Sequence, residues 1–417
     1  MTRGYLPVSA PQAFICTAPC VFLLESSDEF AQRPPNQRFP EFAKLAIYFQ
    51  FLSSFYPLPS CKLFGVRMAN LTMITEQWGR PMTIKTKVSI CLPTCNRPDL
   101  LIRCIESCLQ QTHTNIEIVI GDDSQDDRTA ALIAARYGRN KRIAYRRNTP
   151  PLGQARNVAS LFARATGEKI LLIHDDDLLV ANGIERLLAQ WTRYPDLQVA
   201  FGNQYEADHR GRIDLAGSRR LNLAFHRTPA AAGLLALPGR AGIVQMFPNN
   251  GWLADAALVK QIGYGGHDEV CCDFVFGTQL CLAARKVCYV DDYVSVYCKT
   301  DVSVSQATRH TPNAASLAAW RFVQALALPP ALEPARRIAL RRLVPIVVSL
   351  HARNREARIG LKLALRNLRA YRFGLSPRLY YHLLMIWRSA RRVNPALPSL
   401  DFDASEQPVD ITRTRLP

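Results

Sequence analysis

The 417-residue chain has no apolar run near the ~18 residues that span a bilayer, so no transmembrane helix is expected. A short apolar stretch, Ala13 to Leu24, follows Arg3. It contains Pro19, runs into Glu25, Asp28 and Glu29, and has no small-residue cleavage site, so it is not taken as a secretory leader. Regular cysteine spacing is also missing. The 12 cysteines are scattered, which argues against a secreted disulfide framework and for a reduced, cytoplasmic setting. Cys91, Cys95, Cys104 and Cys108 fall on a strand, a loop and one helix face, and are taken as packing residues rather than a zinc site. There is no internal repeat. Acidic residues are scarce, 34 against 52 basic ones, and the net charge of +18 points to an anionic partner. From Arg321 onward 18 basic and 6 acidic residues supply +12 of that charge. No basic motif interleaved with aromatics accompanies it, so a nucleic-acid partner is not expected.

Where acidic residues do occur, they cluster. Lys169 to Leu179 is Lys-Ile-Leu-Leu-Ile-His-Asp-Asp-Asp-Leu-Leu. The apolar run Ile170 to Ile173 predicts a strand buried on both faces. Asp175, Asp176 and Asp177 then lie beyond its carboxyl end, where open parallel sheets bind ligands. Adjacent carboxylates repel, and a bound divalent cation relieves the repulsion. A helix first turn rich in Asp is the competing reading.

Alternation of strand and helix begins at Lys87. Strands are predicted at Val88–Leu92, Ile116–Ile120, Ile143–Tyr145, Ile170–Ile173, Leu197–Phe201 and Val287–Val290. Helices are predicted at Pro98–Gln111, up to about Tyr137, from Leu152 to Gly167, at Gly183–Trp191 and at Asp273–Arg285. This pattern implies an α/β fold with a mostly parallel sheet and helices on both faces. Residues 203–248 show no clear period and suit an acceptor-side excursion. Beyond Thr300 the chain is helical and basic, with Arg358, Lys362, Arg366 and Arg369 on one stripe. Three regions follow: 1–85, a Pro- and Phe-rich extension without chemistry; 86–300, the catalytic domain; and 301–417, the basic helical region. For the first, a poorly ordered extension and a later translation start at Met73 or Met82 are both open.

Asp122-Asp123, Asp175 to Asp177 and Asp273 would be three acidic strand or helix ends on one rim, beside the turn-rich loop Pro93-Thr94-Cys95-Asn96-Arg97. A nucleotide needs such parts: backbone and carboxylates for base and ribose, and a metal for the diphosphate. In this order the motifs resemble the family-2 glycosyltransferases of GT-A, Rossmann-like fold. The likeness rests on Val88-Ser-Ile-Cys-Leu-Pro-Thr-Cys-Asn-Arg-Pro, Glu117-Ile-Val-Ile-Gly-Asp-Asp-Ser, Gly153-Gln-Ala-Arg-Asn, His174-Asp-Asp-Asp and Gly265-Gly-His-Asp-Glu before Cys272-Asp273-Phe274.

The resemblance implies that Pro93, Thr94, Asn96, Asp123, Arg156 and Asp175 bind the nucleotide sugar. It implies that Asp176 holds Mg²⁺ or Mn²⁺, and that Asp273 is the general base of an inverting transfer to a saccharide or lipid-linked acceptor. Helix capping by Asp123 or Asp273, and a solvated Arg156, are the plainer alternatives. Asp177 is expected to start the next helix. The sequence departs from the family at His174, at Cys272 and at Tyr297-Cys-Lys-Thr, where Lys299 is a candidate replacement charge. The Gln-x-x-Arg-Trp motif of processive synthases is absent, so addition of a single sugar is expected. A nucleotide-binding protein without transfer, and a metal-dependent nucleotidyltransferase, are the rival readings. The basic tail suits an anionic membrane surface on the cytoplasmic side.

Overall fold

The computed structural model describes residues 86–208, 210–265, 271–299 and 314–391. The expectations for residues 1–85, for Gly266 to Val270 and for 300–313 lie outside the described residues.

The first half follows the alternation in the sequence. Strand β1 (Val88–Thr94) is buried at every position. Helix α1 (Pro98–Leu109) starts on Pro98, whose missing N–H costs nothing in a first turn. It buries Leu101, Ile102, Cys104, Ile105 and Cys108. Then come β2 (Ile116–Asp122), α2 (Arg128–Tyr137), β3 (Ile143–Arg147), α3 (Gln154–Arg164) and β4 (Lys169–Leu172). Gly153, at φ 80°, turns the chain into α3 with a backbone that residues bearing a Cβ rarely adopt. The acidic cluster is followed by the short strand β5 (Leu178–Leu179) before α4 (Gly183–Arg193). Asp177 therefore does not start a helix, contrary to expectation.

The stretch that was unreadable in sequence holds the end of β6 (Val199–Ala207), β7 (Ile213–Asp214), α5 (Leu215–Ala224), β8 (Gly233–Leu234) and α6 (Pro238–Ile243). Beyond it lie β9 (Trp252–Asp255), α7 (Ala256–Ile262), α8 (Cys272–Ala283) and β10 (Val287–Cys298). β10 runs past its predicted end at Val290. Asp291 and Asp292 break its apolar pattern, and register shifts against β6 between Tyr289 and Ser295 let them leave the ladder. Asp291 then accepts from Asn203 Nδ2 at 2.9 Å, and Asp292 from Arg186 Nη1 at 2.8 Å.

The sheet order is β3-β2-β1-β4-β9-β6-β10-β5, with β7 on β6 and β8 on β10. Pairing is parallel from β3 through β4. It then turns mixed. β9 is antiparallel to both β4 and β6, while β6 and β10 are parallel. The sequence showed no sign of this reversal, because Trp252 to Ile262 is one apolar stretch that holds both a strand and a helix.

Strand alternation divides the core. Val88, Ile90 and Leu92 face the layer of α1, α2 and α4. Cys91, Ile170, Leu172, Phe201 and Trp252 face α3, α6, α7 and α8. On that second face the later helices α9 (Ala314–Ala325) and α10 (Glu333–Arg353) add Ala319, Val323, Ala339 and Leu343 to the same core. The other side of α10 packs Val344 and Val348 with α11 (Ala357–Arg366) and α12 (Pro377–Arg391). In this basic region, expected to be helical, the helix carrying Arg358 and Lys362 ends at Arg366. Arg372 and Phe373 take left-handed backbone angles, and a tight turn replaces the helix.

Candidate active site

Parallel register sets Thr94 of β1 opposite Asp122 of β2 and Cys91 opposite Leu172 of β4, so their carboxyl ends share one rim. The first two loops are zipped together. Asp123 N donates to Thr94 O at 3.0 Å, Asn96 N to Ser124 Oγ at 2.8 Å, and Gln125 N to Asn96 Oδ1 at 3.1 Å. Asn96 itself adopts φ 56°, a conformation Asn tolerates better than most residues. Pro93 is buried inside β1.

The acidic cluster is divided in use. Asp175 is 5% exposed; it accepts from Thr94 Oγ1 at 2.8 Å and from Arg97 Nη1 at 3.2 Å. Burial pushes its carboxyl above the usual range, although Arg97 and Thr94 pull the other way. Asp176 is the more open neighbour and meets the same Arg97 nitrogen at 3.3 Å. Asp177 turns inward. It accepts from Asn250 Nδ2 and, at 3.0 Å, from Cys298 N of β10. Burial first, and the adjacent Asp176 second, push its carboxyl up to about 7. Asp177 thus serves the fold, by tying the acidic loop to β10 rather than by opening a helix.

His174 joins the cluster to α8. Its Nε2 is 3.6 Å from Asp273 Oδ1, and its Nδ1 is 4.0 Å from Asp177 Oδ2. Burial pulls the imidazole down, but Asp273, Asp177, Asp176 and Asp175 together outweigh it and hold His174 above its ordinary value. Asp273 sits in the first turn of α8 and accepts a hydrogen bond from Tyr264 Oη. It does not cap the helix; Cys271 holds the N-cap position. Asp273 also borders a cavity of about 290 Å³ shared with Phe225, Arg227, Phe247, Asn249 and Phe274.

The other predicted residues stand further back. Asp123 is 6% exposed and accepts from Asn148 Nδ2 (2.8 Å), Leu152 N (3.1 Å) and Gly153 N (2.9 Å). Asp122 accepts from Ser124 N and Tyr145 Oη. Arg156 is exposed in the first turn of α3. Lys299, the candidate replacement charge, is engaged in an ion pair with Glu206.

Sequence reasoning passed over Arg97, Asn157, Asn250, Tyr264 and Arg227. Asn157, the last residue of Gly153-Gln-Ala-Arg-Asn, locks β2 by donating from Nδ2 to Gly121 O at 2.9 Å. Arg97 had a signal, since it sits in the first loop opposite three carboxylates. The others had none. Among the described residues no three His, Cys, Asp or Glu side chains form a ready-made metal cluster.

Residues 89–247 match the family described as Glycosyl transferase family 2. That segment is similar to a family-2 glycosyltransferase domain. Over 123 residues it is 32% identical to Glycosyltransferase GlyG of Streptococcus pneumoniae serotype 4, covering 29% of this chain and 40% of that protein. Over 127 residues it is 28% identical to chondroitin synthase of Escherichia coli, covering 30% of this chain and 18% of that protein. The chain therefore spans well under two thirds of these relatives. Among solved structures, Staphylococcus aureus TarS aligns with 73% of this chain and 54% of its own, at 15% identity and TM-score 0.49. The mannosyltransferase PcManGT of Pyrobaculum calidifontis aligns with 77% and 92%, at 13% identity and TM-score 0.46. The GT-A α/β expectation for the fold is borne out. Among the described residues no helix is long and apolar enough to cross a membrane.

Proposed function

We propose that the chain transfers one sugar from a nucleoside-diphosphate donor to an acceptor hydroxyl, with inversion, in the building of a surface polysaccharide or glycolipid. One observation carries the reading. His174 links the strand-end acidic cluster to the helix carboxylate, its Nε2 lying 3.6 Å from Asp273 Oδ1, and Asp273 also borders a cavity. The donor would lie along the rim of β1, β2 and β4, against Pro93, Thr94, Asn96, Arg156 and Asp175. Asp123 would act there through the loop it holds.

Asp176 fits a hard divalent cation, because Mg²⁺ in such sites takes one or two carboxylates and completes its shell with phosphate and water. Mg²⁺ or Mn²⁺ bound there supplies positive charge to the diphosphate as it leaves. Arg97, already between Asp175 and Asp176, adds fixed positive charge on the same rim. Asp273 accepts the proton of the acceptor hydroxyl as its oxygen forms the new bond to the anomeric carbon. Tyr264 and His174 flank Asp273 Oδ1 and fix the rotation of the carboxylate. Asp273 borders the cavity, and a donor whose diphosphate lay on the opposite side of the anomeric carbon would be attacked in line, with inversion.

The cytoplasmic face of a membrane is the proposed place of action. Arg358, Lys362 and Arg366 are exposed on α11 beside exposed Leu361 and Leu365, and Arg369 follows in the next turn. On α12, Tyr380, Leu384 and Trp387 form an exposed aromatic and apolar stripe at helical spacing. Such a mixed basic and apolar face suits an anionic bilayer surface.

The test is a screen of nucleotide sugars with Mn²⁺ for thermal stabilisation, followed by turnover of the best donor. Asp273→Asn should lower transfer by about 10²-fold or more while leaving donor stabilisation intact, as expected for loss of a general base. Unchanged turnover in Asp273→Asn would remove the base assignment. Donor binding without any turnover in the native chain would favour a binding protein, and release of pyrophosphate from a nucleoside triphosphate would favour a nucleotidyltransferase.

A further inference from the structure

The cavity beside Asp273 contains a second charge that the transfer chemistry does not use. Arg227 is only 3% exposed, yet it lines this cavity. Its Nε and Nη1 have no hydrogen-bond partner, and among the described residues no carboxylate pairs with it. Its side-chain neighbours include the Phe225 ring, 5.5 Å from the guanidinium carbon, and Tyr289, which favours the charged form. Burial pulls the guanidinium down to about 10, which still leaves it charged at neutral pH. Burying an unpaired cation is costly, so a chain that keeps one normally has a use for it. The lining is mainly apolar, with Leu221, Phe225, Phe247 and Phe274, and Gln204, Gln245 and Asn249 add uncharged polar groups. A planar fork of N–H donors in such walls matches a carboxylate or phosphate held in two parallel hydrogen bonds.

The cavity is therefore polarised. A cation lies on one part of its lining and the Asp273 carboxylate on another. A neutral sugar can offer Arg227 only hydroxyl acceptors, whose hydrogen bonds are about half as strong as those of a carboxylate or phosphate. A sugar with a negative group can place that group on Arg227 and is repelled from turning it toward Asp273. A hydroxyl is thereby left facing Asp273. At about 290 Å³ the space is at the low end of ligand pockets, roughly 300–1,000 Å³, and suits one sugar ring. We propose that the acceptor residue is an acidic sugar, bearing a carboxylate or phosphate, and that Arg227 is the residue that selects it and sets its orientation. The proposal rests on the transferase reading above.

The test measures binding alone, without donor, metal or turnover, so it stands or falls apart from that reading. Methyl β-D-glucuronide, methyl β-D-glucoside, methyl glucoside 6-phosphate and inorganic phosphate are titrated into the full chain by ligand-observed NMR at low salt. The native chain should bind at least one acidic glycoside 10-fold or more tighter than the neutral one. Arg227→Met should reduce that preference to under 2-fold, and Arg227→Lys should keep part of it. Arg227→Met should also leave the melting temperature unchanged or raise it, since it removes an unpaired buried charge. Equal binding of acidic and neutral glycosides by the native chain would overturn the proposal without need of any variant. So would a preference that survives Arg227→Met, or inorganic phosphate binding as tightly as the acidic glycosides.

Discussion

Asp123 tests whether a motif carboxylate serves the ligand or the loop that meets the ligand. Its two oxygens accept three hydrogen bonds, from Asn148 Nδ2, Leu152 N and Gly153 N, at 2.8–3.1 Å. Hydrogen bonds to a charged group contribute roughly 1.5–3 kcal/mol each. At the low end, three such bonds total about 4.5 kcal/mol. Two corrections apply. Leu152 and Gly153 are only half-buried, so water can reach their freed amides. Asn148 keeps a second acceptor, Asn157 Oδ1, at 3.1 Å. Asp123→Ala should then cost about 3–4 kcal/mol, a large share of the roughly 5–15 kcal/mol that holds a domain folded. At about 2 °C per kcal/mol for a unit of this size, the melting temperature should fall by roughly 6–8 °C. Asp123→Asn keeps one accepting oxygen and should cost about half as much. Thermal unfolding of the full chain gives these values, and donor titration of the same samples gives affinity. The reasoning predicts that both fall together, because the loop from 148 to 153 leads into α3, whose Arg156 is proposed to meet the donor. A melting temperature within 1–2 °C of native, with donor affinity lost, would refute it and return Asp123 to direct base recognition.

Three further outcomes follow from the same geometry. Gly121→Ala would put a Cβ 2.1 Å from Asn157 Oδ1, so Asn157 must swing away and lose its bonds to Gly121 O and Asn148; unfolding in urea should show a loss of about 2–3 kcal/mol. Burial opposes ionisation of Glu117, but Lys87 at 2.7 Å, Ser89 and Thr166 overcome it and lower its carboxyl to about 2, so its contribution is complete above about pH 4.5 and is lost as the pH falls toward 2. Lys87 is 39% exposed, and with that screening Glu117→Gln should remove only about 1–2 kcal/mol at pH 7 and flatten the acid limb of the stability curve. Reversing the charge of Arg358, Lys362, Arg366 and Arg369 should abolish pelleting with phosphatidylserine-rich vesicles at low salt, and unchanged pelleting would remove the membrane reading.

What could be seen in the sequence was local. β1, α1, β2, α3 and β4 lay within a few residues of their predicted bounds, because each has a clean period bounded by Gly, Pro or an acidic turn. Asp175 and Asp176 could be placed at a strand end because the four apolar residues before them left no other register. What could not be seen depended on partners distant in sequence. The reversal at β9 is set by pairing with β4 and β6, not by anything in Trp252 to Asp255. Asp177 looked like a helix start because Asp favours helix N-termini; its actual partners, Asn250 and Cys298, are 73 and 121 residues away.

The same contrast separates the two sides of the candidate site. Most of the residues proposed for the donor side sit at or just after the ends of parallel strands, where sequence order and spatial order agree, so motifs can report them. The proposed acceptor side is assembled from β6, α5 and the turn after it, the loop after α6, the first turn of α8 and the end of β10. Their contributions come from segments far apart in sequence, with no shared spacing. Arg227 illustrates the limit. In sequence it is one arginine among many in a chain with 52 basic residues, and the bland reading of a solvated charge is the natural one. Only burial without a partner separates it from the rest, and burial without a partner is a property of the folded chain alone. The net positive charge therefore has at least two origins. One is a surface of exposed arginines that acts collectively and weakens with salt. The other is a single desolvated guanidinium, which salt screens far less. Acceptor preference should therefore survive an ionic strength that removes membrane binding.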